Sequence, residues 1–182
     1  MLELKGNLSK FVRTTNLLCG DQTRLLEGKS MYDADMCFML FVGTDNPLPL
    51  KEWRKDIPDI CVQPLSGDEE AVRTHFSKPF VQYVGSTAGC GCDFPHWLLF
   101  NGEPPADGFD GRDDDQKQTN TENAKRLVRL LHENGGRVFE SYGVWAGNWS
   151  KPPLDQKDMQ LHEVLSPSFL FGEQVFYRVK GS

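Results

Sequence analysis

No apolar stretch of this chain approaches the roughly 20 residues that a helix needs to cross a bilayer, so no membrane span is expected. The first thirty residues carry Lys5, Lys10 and Arg13 but no continuous apolar segment, and a secretion signal is not visible. Cations are also scarce. Lys and Arg number 20 against 26 Asp and Glu, a net charge of −6. A nucleic-acid surface needs clustered Lys and Arg to neutralise phosphates, so that partner is excluded. No internal repeat is present. The glycines are nowhere followed by the Gly-Lys-Ser/Thr of a phosphate loop. The five cysteines are odd in number, and with no visible secretion signal a disulfide framework fits poorly. Reduced thiols in the cytoplasm fit better.

What remains is an ordinary globular composition. The 182 residues are 38% hydrophobic with 17 glycines, enough to bury one core. Residues 1–35 lack a convincing pattern and read as a loosely docked N-terminal extension, although Leu8, Phe11 and Val12 can line a short helix face. The domain proper is expected to span residues 36–182.

Its first strand is Met36-Cys37-Phe38-Met39-Leu40-Phe41-Val42, a continuous apolar run suited to a central strand buried on both faces. A helical turn is expected over Leu50 to Arg54, a short strand over Ile60 to Val62, and a helix over Asp68 to Phe76 behind the Ser66/Glu69 capping box. That helix places Val72, His75 and Phe76 on one side. Phe80 to Val84 reads as a second good strand, with a further short one over Trp97 to Phe100. Residues 101–118, with Asp107, Asp110, Asp113, Asp114 and Asp115, read as a mobile acidic loop. Its spacing does not suit calcium, because Arg112 and Asp115 fall where an oxygen ligand and a glycine are required.

The strongest helix follows, from Thr121 to Asn134. Thr119 and Glu122 form a capping box, Ala124, Leu127, Val128 and Leu131 form the apolar stripe, and Asn134-Gly135-Gly136 provides a left-handed stop. Arg137 to Trp149 reads as a long strand with Gly143 as a bulge, placing Trp145 and Trp149 on one face if regular. Leu161 to Leu165 and Gln174 to Val179 read as closing strands. Strands outnumber helices without alternating with them, which predicts an α+β fold: a mixed, mostly antiparallel sheet with one or two packed helices.

Reactive side chains concentrate between Val84 and Trp97, where Gly89-Cys90-Gly91-Cys92 is followed by His96. Two thiolates one glycine apart reach a single ion if the loop curls, which positive φ at glycine allows. A structural zinc takes four sulfur or nitrogen ligands. Cys90 and Cys92 supply two, with Cys37 and His96 as the main candidates for the others, and Cys61 and His75 behind them. The pair has no second pair, so the sequence carries half a zinc site. Alternatively the glycine-rich turn offers backbone N–H groups to an oxyanion, with Cys90 or Cys92 as nucleophile and His96, or else His75, as base. A third account makes the cysteines small buried apolar groups. If the native start is Met36 rather than Met1, methionine removal leaves Cys37 as an N-terminal nucleophile.

Because no acid–base pair or triad can be assembled, composition favours a small binding or interaction module whose acidic surface meets a basic protein partner. The alternative is a zinc-like or cysteine-nucleophile protein centred on the Gly-Cys-Gly-Cys loop.

Overall fold

The computed structural model describes residues 37–99, 102–105 and 112–181. The expected N-terminal extension, Met36, and residues 101 and 106–111 of the expected acidic loop lie outside them.

The fold is α+β, and a six-stranded mixed sheet organises it. In chain order its strands are β1 (Phe38–Thr44), β2 (Cys61–Pro64), β3 (Phe80–Gly85), β5 (Val138–Trp145), β6 (Asp155–Gln160) and β8 (Val175–Lys180). In space they run β2-β3-β1-β5-β8-β6, with only the β8–β6 contact parallel. Two short parallel strands, β4 (His96–Trp97) and β7 (Phe171–Gly172), form a separate ribbon.

β1 is central, as its unbroken apolar run requires. Side chains alternate across a strand, so Phe38, Leu40 and Val42 face one way and Phe41 the other. The first set packs with Ala124, Leu127 and Leu131 of the helix α1 (Asp114–Asn134). Phe41 instead joins Tyr83, Tyr142, Val144 and Phe176, with Trp149 packed edge-on to it. That second face is covered in part by a 3₁₀ helix, Gly67–His75, behind the expected Ser66/Glu69 pair. Buried Glu140 of β5 anchors the end of this helix by accepting from Ser77 N at 2.8 Å and Ser77 Oγ at 2.5 Å.

Several expectations are corrected. α1 starts at Asp114, seven residues before Thr121, because Asp113 and Gln116 form the capping box: Gln116 N donates to Asp113 Oδ1 at 2.8 Å and Asp113 N donates to Gln116 Oε1 at 3.1 Å. Asp113 to Asp115 thus begin a helix, where carboxylates favour the positive end of the dipole, rather than continuing a loop. Val128 is only half-buried, while Leu127 and Leu131 are buried.

Leu161–Leu165 is a 3₁₀ helix whose Leu161 and Val164 turn inward, and not a strand. The strand is the polar Asp155–Gln160 before it, an edge strand with mostly exposed side chains. Lys51 is extended and paired with Val62 through two backbone hydrogen bonds, so the Leu50 to Arg54 segment is not helical. Both backbone groups of Lys51 are engaged by Val62 and so are not available to a helical turn. Gly143 pairs in register with Leu40 and is not a bulge. β5 ends at Trp145, so Trp149 lies beyond the strand.

Candidate metal centre

The site begins where β3 runs out. A Cβ on Gly85 would stand 2.6 Å from Cys61 Sγ and 2.8 Å from Gly89 O, so glycine lets the chain fold back on itself here. Ser86 N donates to Cys90 O at 2.7 Å and Gly89 N to Ser86 O at 2.9 Å, which closes a compact loop. Gly89 has φ of +84°, a left-handed conformation that side chains rarely adopt.

Side chains from distant elements pin this loop. The Trp53 indole donates to Thr87 O at 2.8 Å, and the Tyr83 hydroxyl to Gly89 O at 3.0 Å. The carboxamide of Asn123, on α1, bonds Thr87 and Asp93. Cys90 then caps a single 3₁₀ turn, Gly91–Asp93, its sulfur accepting from Cys92 N at 3.4 Å. A Cβ on Gly91 would lie 2.6 Å from Phe38 O, so this turn rests directly on the backbone of β1. Immediately before that contact stands Cys37.

The result is a convergence of sulfurs. Those of Cys37, Cys90 and Cys92 all lie within 4.8 Å of one another, with Cys90 buried and the other two half-buried. No protein-family model, curated protein or solved structure matches this chain.

The electrostatics favour a thiolate at Cys92. A hydrogen bond from Cys90 is the largest influence. Burial opposes it, and the Phe38 N–H and the Cys37 thiol assist, bringing Cys92 down to about 6 against the adjacent Asp93 carboxylate. Cys61 behaves oppositely: burial pushes its thiol up. Cys61 and His75 stand outside the three-sulfur group. His75 packs edge-on to Tyr142 at 5.2 Å, and its buried Nε2 has no hydrogen-bond partner among the described residues.

His96 is also outside the group. Its ring stacks flat on Phe38 at 4.6 Å, and its Nδ1 lies 2.8 Å from Phe94 O. A carbonyl only accepts, so Nδ1 carries the proton and Nε2 the lone pair in the neutral ring. Burial holds the His96 pKa below the ordinary histidine value.

These residues fit a thiophilic ion. Metal–sulfur bonds of about 2.3 Å in a tetrahedron put the sulfurs about 3.8 Å apart. The three sulfurs need to close by at most about 1 Å to meet that spacing, a movement within side-chain rotation. The pinning residues Trp53, Tyr83 and Asn123 were not legible as site residues. The one signal was Asn123 itself, a polar residue one turn before Leu127 and beside the apolar Ala124.

Proposed function

We propose that Cys37, Cys90 and Cys92 bind a single soft metal ion, with zinc the best fit. The observation that carries this reading is the convergence of three sulfurs from two distant parts of the chain. Soft thiolates select zinc and copper(I) over oxygen-loving cations. Binding a divalent ion displaces the thiol protons and leaves a centre of net charge −1. Three protein ligands leave a fourth tetrahedral position, which suits a bound water or an incoming ligand rather than a closed structural site. Cys37 and Cys92 are half-buried and Cys90 is buried, so the group lies near the surface of the protein.

This reading stands ahead of the interaction module with merely structural cysteines, for which three converging sulfurs have no use. The net charge of −6 still supports a basic protein as partner. A nucleophilic role for Cys92 is the second reading, favoured by its lowered pKa.

Metal analysis of protein purified without chelator tests the proposal. One zinc per chain is expected, with loss in Cys37→Ser, Cys90→Ser and Cys92→Ser but not in Cys61→Ser. Cobalt substitution should give thiolate-to-metal charge-transfer absorption. Wild-type protein that takes up neither ion stoichiometrically would overturn it.

A further inference from the structure

Asn123 sits in the interior of α1 and is 1% exposed. Asparagine is a poor helix former, and its buried amide is tolerated only when hydrogen-bonded. An aliphatic residue at this position would suit both the helix and the core better. The amide's partners explain its presence, because its three hydrogen bonds to Thr87 and Asp93 leave the helix. Oδ1 accepts from Thr87 N at 3.2 Å, while Nδ2 donates to Thr87 Oγ1 at 3.1 Å and to Asp93 O at 3.1 Å. Thr87 precedes Cys90, and Asp93 follows Cys92. One carboxamide therefore holds both ends of the segment that carries two of the three sulfurs. Trp53 and Tyr83, by contrast, grip Thr87 and Gly89, on the upstream side of Cys90.

We infer that Asn123 is the positioning residue of the metal centre, setting the separation of the Cys90 and Cys92 sulfurs through the Thr87 and Asp93 backbone. This rests on the metal reading above. Residues that orient the ligands of a metal without touching it control its affinity, and their loss typically weakens binding 10–100-fold. Thr87 and Asn123 also line an open cavity of about 380 Å³ whose other walls include Glu122 and Arg126.

The experiment is zinc affinity by competition against a chromophoric chelator, paired with the cobalt spectrum and the metal-free melting temperature. Asn123→Ala is expected to bind zinc about 10–100-fold more weakly, still at one ion per chain, with a shifted cobalt charge-transfer band. Thr87→Ala should show a smaller loss, and Thr87→Ser, which keeps the hydroxyl, should restore affinity. Asn123→Asp retains an acceptor for Thr87 N, and the Thr87 hydroxyl can turn to donate to it, but it presents an oxygen to Asp93 O, so it should weaken binding chiefly through the downstream end. Should Asn123→Ala fail to fold, Thr87→Ala and Asn123→Asp decide the matter by the same readouts. A lower melting temperature with unchanged zinc affinity and cobalt spectrum would overturn the inference and make Asn123 purely structural. Wild-type protein that binds no metal would instead remove the reading on which it rests.

Discussion

A Cβ placed on Gly143 would stand 2.2 Å from Cζ of Phe38, across the β1–β5 ladder. Phe38 is fully buried and stacked on His96, so its ring has nowhere to retreat. Glycine at 143 is thus what lets the ring of Phe38, the residue that follows Cys37, lie across this ladder. Gly143→Ala is expected to destabilise the protein by about 1–3 kcal/mol through overpacking. Urea unfolding with an unchanged m-value and a lower midpoint would register it. An unshifted midpoint would mean that the ring moves freely.

The helix offers a paired comparison. Leu127 is 1% exposed and packs within the cluster around Phe38 and Leu40. Leu127→Ala should cost about 2–5 kcal/mol. The half-buried Val128 should lose clearly less when cut to alanine. Equal losses at the two positions would contradict the packing described here.

Zinc should raise thermal stability if it binds only the folded chain. Free zinc at about a thousand times its Kd stabilises by about 4 kcal/mol. For a chain of this size that is an increase of about 8–16 °C in Tm. A thermal melt with added zinc, against one with chelator, measures the difference. Cys90→Ser should abolish it.

Asp59 supplies a pH dependence. Burial acts to raise its pKa, but Lys51, Arg126 and the Ile60 N–H prevail and hold it at about 2, below the ordinary 3.8. A depressed carboxylate stabilises the fold above its unfolded pKa, and that contribution fades as pH falls from about 4 toward 2. The side chain is 31% exposed, so solvent screening limits the effect to about 1 kcal/mol. The stability gap between wild type and Asp59→Asn should be flat above pH 5 and close below pH 4. A gap that persists at pH 2 would refute the assignment.

Thiol reactivity should divide the cysteines. In metal-free protein at neutral pH, iodoacetamide should modify Cys92 well before Cys61, since the first thiol is lowered to about 6 and the second is raised by burial. Peptide mapping over a time course would show the order, and the reverse order would count against the thiolate at Cys92.

Much of this architecture was legible because burial leaves a pattern. β1 and β3 are apolar runs, and the body of α1 repeats Ala124, Leu127 and Leu131 at helical spacing. The start of α1 was hidden because acids in a first turn look like a solvated loop. β6 was hidden for a related reason: an exposed edge strand such as Gln156-Lys157-Asp158 needs no apolar alternation. Leu161, Val164 and Leu165 suggested a short apolar strand, whereas Leu161 and Val164, three apart, share a face only in a 3₁₀ turn.

At the site, Cys37, Cys90, Cys92 and His96 were all nameable as candidates, but which of them meet depends on sheet register. Leu40 pairs with Val84 in antiparallel β1 and β3, which carries Cys37 level with the loop beyond Gly85. Cys61 pairs beside Gly85 from the outer strand and remains apart from the three sulfurs. No spacing rule within the chain reveals that difference.

The Cys37 sulfur belongs to the start of the central strand, and its two neighbours to a turn about fifty residues further on. An ion joining them closes a ring of chain, as a disulfide would, but one that a chelator opens. The clasp would tie β1 to the loop beyond β3, on the side of the sheet away from β8 and β6. Added metal is then expected to slow hydrogen exchange in β1 and β3, and chelator to reverse it.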